Sequence, residues 1–216
     1  MKTLRQVLAL CGLMLALLGT GYAQEADVGL MQQLSGEVTY SGGKAKAYMK
    51  MRRGDRYSLS AGAQLRVVYF RNGRRETWRG PAVFRSGTEH GDALSGTVYE
   101  VADLPLDVPQ KIQRIPDLIQ IAKLGGVTVR GLQPKQRPNP EQRAEIAAAR
   151  ATYAELRRRL PQEDITPELY LFTVLQDYLL YDEMQALVDE MLQLQPADPE
   201  AQQLAEWVKT SIARSK

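Results

Sequence analysis

The stretch that decides the fold is Met49–Pro81, MKMRRGDRYSLSAGAQLRVVYFRNGRRETWRGP. Its residues 64–71 are rich in Leu, Val, Tyr and Phe, which suit a half-buried pleated strand. Asn72-Gly73 follows and indicates a hairpin, because both residue types tolerate a positive φ. Arg74–Arg79 is the predicted return strand, and the Gly-Pro pair after it ends the ladder because proline has no N–H to donate. The stretch therefore predicts an antiparallel hairpin within a β-sheet.

The hairpin leaves two registers open. A two-residue turn sets Arg66 opposite Arg79. A three-residue loop with Gly73 as a bulge instead places Val68, Phe70, Glu76 and Trp78 on one face. In both registers Arg75 and Arg79 share the face opposite to Trp78. Like charges across a ladder are unfavourable, so an arginine cluster here predicts an anion site, and the alternative is an ordinary solvated strand face. Arg66, Arg75, Arg79 and Trp78 are the candidate binding residues.

Residues around this hairpin extend the β-region. Turn signals at Gly54-Asp55 and Ala61-Gly62 bracket a further short strand, Arg56–Leu59. Ser86–Ser95 is polar and predicts a loop, in which the lone His90 is solvated. The remaining expectations, in chain order, are a strand at 94–101, an extended segment at 104–114, a short helix at 117–123 and a strand at 127–130.

The order of these elements resembles the FecR domain, the periplasmic module of FecR-type regulators. The resemblance rests on a Gly-x-Val strand at Gly36 and Val38, on the two turn signals above, and on the apolar strand closed by Asn72-Gly73. It covers residues 31–84, about a quarter of the chain. It implies an all-β sandwich or roll that serves signalling or binding and has no catalytic residues. FecR-type regulators carry a transmembrane helix before this domain, which the expected mature chain lacks, so a sigma-factor circuit is not expected.

The N-terminus predicts a secretory signal peptide at residues 1–23. Lys2 and Arg5 give a positive start, and the apolar run at 7–18 is too short to span a bilayer comfortably. Cleavage is expected after Ala23, which places the protein in a bacterial periplasm; a retained N-terminal anchor is the alternative. Cys11 is the single cysteine and lies in the leader, so the mature chain has no disulfide, no thiol nucleophile and no cysteine zinc site.

Charge divides the chain into a basic and an acidic half. Loss of the leader lowers the formal net charge from +3 to +1, yet residues 44–85 are strongly basic and residues 163–207 contain no Lys or Arg. The pattern predicts either docking of the two halves on each other or two partners of opposite charge, and the alternative is two solvated surfaces. The basic side chains are Lys44, Lys46, Lys50, Arg52, Arg53, Arg56, Arg66, Arg71, Arg74, Arg75, Arg79 and Arg85.

The C-terminal part is predicted to be helical. A proline-rich linker at 133–140 separates a β-domain at 24–132 from a helical domain at 141–216. Three helix starts share a capping residue followed by Pro and Glu, at Asn139, Thr166 and Asp198. Helices are expected at 140–160, 167–179, 182–194 and 199–213.

One part of the helical half resembles a tetratricopeptide repeat. Tyr181, Val188 and Pro196 have the spacing of that family, whereas Met184 and Met191 stand where small residues are usual. The resemblance implies one degenerate repeat that binds a protein. A plain helical hairpin with methionine as core filler is the alternative.

No catalytic motif accompanies these elements. The sequence has no Gly-x-Ser-x-Gly, no Walker loop, no dinucleotide fingerprint and no His-Glu-x-x-His, so no enzyme activity, cofactor or metal site is predicted. The expected function is a periplasmic interaction or scaffold protein whose acidic helical half contacts an envelope protein and whose basic half contacts anionic envelope material, without nucleic acid and without a stable transmembrane segment. Alternatives are a peptidoglycan- or polysaccharide-binding module that uses Trp78, Tyr69 and the arginines, and an envelope hydrolase that uses paired acids.

Overall fold

The structure is a computed structural model that describes residues 26–41, 43–124 and 138–214. Within them two antiparallel five-stranded sheets come first and helices follow, which confirms the predicted α+β order. The strands are β1 (Asp27–Ser35), β2 (Val38–Tyr40), β3 (Gly43–Lys44), β4 (Lys50–Arg52), β5 (Arg56–Leu59), β6 (Gln64–Tyr69), β7 (Arg74–Arg79), β8 (Ala82–Ser86), β9 (Gly91–Ser95) and β10 (Val98–Asp103). The helices are α1 (Asp107–Ile112), α2 (Ile115–Lys123), α3 (Pro140–Arg159), α4 (Thr166–Asp177), α5 (Tyr181–Leu194) and α6 (Pro199–Arg214).

The two sheets stack face to face around an aromatic core. Sheet A has the strand order β10-β7-β6-β1-β4, and sheet B has the order β3-β2-β5-β8-β9. Trp78 of sheet A stacks on Phe84 of sheet B with ring centroids 4.4 Å apart, and Phe84 stacks on Tyr57 at 5.0 Å. Leu65 and Val67 fill the same layer without exposure to solvent. Strict alternation of inward and outward residues along β5 and β6 places these side chains between the sheets.

The register of the β6–β7 hairpin differs from both predicted registers. Arg66 lies opposite Thr77 rather than Arg79, because a four-residue loop at 70–73 joins the strands. The loop closes where the amide of Gly73 donates to the carbonyl oxygen of Tyr69 at 3.1 Å. A Cβ atom on this glycine would lie 2.5 Å from a backbone oxygen, and its φ of 70° suits glycine. The Asn-Gly signal therefore locates the turn correctly but does not define the loop length.

Two predicted irregular segments are regular in the structure. Residues 91–95 of the predicted loop form β9, which pairs with β8 at the edge of sheet B. The extended segment predicted at 104–114 contains α1, because Pro109 lies in the first helical turn, where a missing N–H is tolerated. The short helix predicted at 117–123 is confirmed as α2. The predicted strand at 127–130 and most of the predicted linker lie outside the described residues.

Two of the three predicted helix caps are confirmed. Asn139 forms a capping box with Gln142 at the start of α3, with hydrogen bonds of 2.8 and 2.9 Å. Asp198 Oδ1 accepts from the amide of Glu200 at 2.9 Å at the start of α6. Helix α4 differs, because Thr166 is its first residue and donates its own amide to Asp164 Oδ1 at 2.9 Å. The capping oxygen of α4 thus comes from an acid two residues upstream of the predicted one.

The helices pack on the outer face of sheet A. Leu30 and Val68 of that sheet belong to the same apolar core as Phe172 of α4. Helix α4 is buried from Thr166 through Leu175 between the sheet and the neighbouring helices. Sheet A therefore serves two cores, with one face toward sheet B and the other toward the helices.

Candidate functional site

Two of the predicted arginines meet an acid of the helical half. Arg75 Nη1 donates to Asp164 Oδ2, and Arg66 Nη1 lies 3.4 Å from the same oxygen. Arg75 is 2% exposed and Asp164 is 1% exposed. This buried carboxylate belongs to the protein's own helical half, and Arg75 Nη2 also lies 3.3 Å from Glu100 Oε1 of β10. Of the alternatives for the charge division, docking of the two halves on each other is the one that the structure contains.

The Oδ1 atom of Asp164 also accepts hydrogen bonds. It accepts from the amide and the hydroxyl of Thr166, and that hydroxyl accepts from the side chain of Gln32 on β1. Arg66 additionally donates to Gln33 Oε1 at 2.7 Å. A buried charge of this kind is tolerated only when hydrogen bonds replace its hydration.

Further polar contacts join the same two surfaces. The hydroxyl of Tyr48 donates to Asp198 Oδ2 at 2.6 Å, next to the cap of α6. Burial and the neighbouring Asp198 carboxylate raise the pKa of Tyr48 well above its usual value. Lys50 lies 3.2 Å from Asp117 of α2 in a more exposed ion pair. The basic half is thus held to the helices at several separate points.

Trp78 lies on the opposite face of sheet A, within the sandwich. It is 1% exposed, and its Nε1 donates to Glu76 Oε2 at 3.0 Å. Glu76 also accepts from the amide of Gly91 at 3.1 Å and from Arg74 Nε at 2.6 Å. A sugar ring could reach the indole only if the sheets separated, so the geometry gives no support to saccharide stacking on Trp78 or on the equally buried Tyr69.

Arg79 is separated from the other predicted arginines. Its guanidinium carbon lies 3.4 Å above the ring of Tyr99 on β10, at the edge of sheet A. Tyr99 is 57% exposed, so this cation–π contact faces solvent. The structure therefore brings Arg66 and Arg75 together, but it does not bring Arg79 or Trp78 to them.

A second arginine pair, which sequence reasoning missed, lies on the outer face of sheet B. Arg56 of β5 pairs directly with Arg85 of β8, and both side chains are exposed. Neither side chain has a carboxylate within ion-pair distance among the described residues. The turn signals around Arg56–Leu59 predicted this strand, but its pairing with β8 has no local signal in the sequence. The outer face of sheet B consists of Thr39, Ser41, Lys44, Arg56, Ser58, Val83, Arg85 and Asp92.

The helical half contains a buried acid with an unusual titration. Glu168 of α4 has no exposed surface, and its carboxylate lies 3.1 Å from Arg157 Nη1. Burial raises the pKa of Glu168 to about 7, although the Arg157 guanidinium and backbone hydrogen bonding act in the opposite direction. Tyr153 donates to a second acid, Glu190, at 3.0 Å, and that acid raises the pKa of Glu168 further.

This titration predicts a pH-dependent stability that Glu168→Gln removes. Between its ordinary pKa of 4.5 and about 7 the unfolded state has lost the proton while the folded state keeps it, so stability falls as pH rises through this window. Glutamine does not titrate, so the variant does not lose stability as pH rises through this window. Its free energy of unfolding relative to the parent chain should therefore increase by about 2 kcal/mol between about pH 5 and pH 8.

Urea unfolding at the two pH values measures this change. Glu183→Gln on α5 is the control, because Glu183 is a largely solvated partner of Arg150. The control difference should stay constant with pH. A constant difference for Glu168→Gln as well would contradict the raised pKa.

A shallow, open surface cavity of about 720 Å³ lies beside this cluster on α3. Its lining residues are Ala151, Tyr153, Ala154, Arg157 and Arg158. Neither Glu168 nor Glu190 is among them, so the cavity does not expose the pair of acids that a hydrolase would need.

Other kinds of site have no counterpart in the part of the chain that the structure describes. No group of three or more His, Cys, Asp or Glu residues there is arranged to hold a metal ion. His90 is exposed, with its Nε2 3.3 Å from Asp92 Oδ1. Among residues 26–41, 43–124 and 138–214 no helix is long and apolar enough to cross a membrane.

Comparisons with known proteins add no relative to these observations. No protein-family model, no curated protein and no solved structure matches the chain. What the geometry establishes is an α+β protein whose basic strand face on sheet A is covered by its own helices and whose second arginine pair on sheet B is exposed.

Proposed function

We propose that the protein is a non-enzymatic interaction protein of the bacterial cell envelope, in which a FecR-like sandwich binds anionic material and a tetratricopeptide-like helical half contacts a protein. One observation carries the proposal. Cations remain exposed on one side of the sandwich after its other basic face has been neutralised by the helices. Arg56 and Arg85 are the central members of this exposed set.

Four other exposed cations lie on the β-half of the chain. None of them has an ion-pair partner in the described part of the chain, and unpaired surface cations attract polyanions over a range set by ionic strength. They are Lys44, Lys46, Arg52 and Arg53, on β3, β4 and the adjoining turns.

The acidic helices supply the other half of the proposal. Asp182, Asp189 and Glu206 lie on the exposed sides of α5 and α6. A solvated acidic face of this kind favours a basic protein partner. Each of the helices α3 to α6 packs against the next one along the chain, which is compatible with a repeat-like arrangement and supports this division of roles.

Co-sedimentation with purified peptidoglycan sacculi tests the binding of anionic wall material. Residues 24–216 should sediment with sacculi at about 50 mM salt, because exposed cations contact the carboxylates of the wall. The bound fraction should fall at about 500 mM salt, where the charges are screened. Binding that does not change with salt would contradict an electrostatic contact, and no binding at low salt would remove this function from the sandwich.

A further inference from the structure

We propose that the outer face of sheet B is the binding site for a linear anionic glycan, with Arg56 and Arg85 binding one acidic group between them. This inference rests on the proposed function and names the site and the ligand chemistry. It moves the anion site from the predicted Arg75 and Arg79 to the opposite sheet.

Two arginines lie side by side on the outer face of sheet B. Arg56 and Arg85 are direct partners in the β5–β8 ladder, so their Cβ atoms are about 5 Å apart on the same face. Such a like-charge pair is unfavourable and is relieved by an anion that both side chains contact. Two guanidinium forks can share one carboxylate or phosphate, which provides charge-assisted and directional hydrogen bonds.

Hydroxyl groups surround the pair and suit a sugar. Thr39 and Ser58 are cross-strand partners on the same face, and the side-chain oxygen of Ser41 accepts from the amide of Arg56 at 3.0 Å. Hydroxyls both donate and accept, as the hydroxyls of a glycan do. Strands β2, β5 and β8 carry no exposed large apolar side chain, and the one in the described part of sheet B is Leu94 on the edge strand β9, which offers little to insert into a bilayer. The surface chemistry therefore favours a polar polymer over a lipid membrane.

A third cation fits the spacing of a polymer. Lys44 of β3 lies opposite Thr39 of β2, and β3 is two strands away from β5, which carries Arg56. Two strand spacings separate Lys44 from Arg56 by about 10 Å in the direction across the strands. This is roughly the length of two sugar rings. A chain with one acidic group in each disaccharide could therefore reach both positions.

One acid limits the site. Asp92 of β9 lies opposite Arg85 in the β8–β9 ladder and is itself close to His90, at 3.3 Å. Its carboxylate repels an anionic ligand at that end of the row. Removal of this charge should therefore strengthen binding, whereas removal of the arginine charges should weaken it.

Binding of fluorescent alginate, a linear polycarboxylate glycan, tests the inference by anisotropy. The parent protein should bind alginate but not neutral dextran. Arg56→Gln/Arg85→Gln should weaken binding at least about tenfold at low salt, and Asp92→Asn should strengthen it about twofold. The control is Arg143→Gln/Arg158→Gln, which removes the same charge from exposed positions of α3 and should bind like the parent.

The outcomes separate the two proposals. If the parent protein does not sediment with sacculi, the proposed function fails. If it sediments, but the Arg56 and Arg85 variant binds alginate and sacculi as tightly as the α3 control, only the sheet B site fails. Binding to phosphatidylglycerol vesicles without binding to alginate would overturn the choice of a glycan. Circular dichroism of each variant verifies that the sandwich is folded.

Discussion

Replacement of Asp164 by alanine should lower the free energy of unfolding by about 3–5 kcal/mol. The carboxylate contacts Arg66 and Arg75 in a buried site, so its removal leaves Arg66 without an acid and Arg75 with only the partly exposed Glu100. Thr166 loses the acceptor of its amide at the same time, which weakens the start of α4. Urea denaturation followed by circular dichroism measures the change.

Two control variants show whether burial causes the loss. Asp117→Ala breaks the exposed ion pair with Lys50 across the same interface and should cost less than about 1 kcal/mol. The triple variant Arg66→Met/Arg75→Met/Asp164→Leu should recover much of the stability, because apolar replacement of a buried charge cluster is often neutral. An Asp164→Ala protein as stable as Asp117→Ala would contradict the interface described above.

Trp78→Ala should be equally damaging, with a loss of about 3–5 kcal/mol. The indole fills the middle of the sandwich, 4.4 Å from the ring of Phe84, and alanine leaves a cavity that the paired sheets cannot close. It also removes one of the donors to the buried Glu76. Thermal and urea unfolding both report this loss.

The matched control for Trp78 is an exposed aromatic residue of the same sheet. Tyr99→Ala should change stability by less than about 1 kcal/mol, because its ring already faces solvent. Trp78→Phe should keep most of the stack and lose only the bond to Glu76. If folded Trp78→Ala protein kept its stability but lost binding to sacculi, the indole would be a ligand contact rather than a core residue.

Sequence pattern predicted the elements that depend on near neighbours. The turn signals that bracket Arg56–Leu59 and the β-rich run at 64–71 predicted strands, and the Asn139 and Asp198 caps predicted helix starts. Each of these signals lies within a few residues of the feature that it marks. Strand β1 was not singled out, although its central position in sheet A makes it essential to both cores.

The site residues were harder to predict because they depend on remote partners. Arg75 and Asp164 are 89 positions apart, so no local pattern indicates that this acid covers this strand. Trp78 was a candidate binding residue, yet it is buried because sheet B stacks over it. The exposed pair of Arg56 and Arg85 is visible only once β5 and β8 are adjacent. In each case a contact far along the chain decides whether a basic or aromatic residue is buried.

The division of one sheet between two cores also determines when the chain can fold. Gln32 contacts Thr166, which is 134 positions later, and Tyr48 contacts Asp198, which is 150 positions later. Closure of such long loops slows folding, because their entropy is lost before any contact rewards it. A nascent chain that ends before residue 164 lacks the buried acid that contacts Arg66 and Arg75, and it lacks helix α4 of the core that contains Leu30 and Val68. Native structure can therefore be completed only after synthesis has passed Asp198.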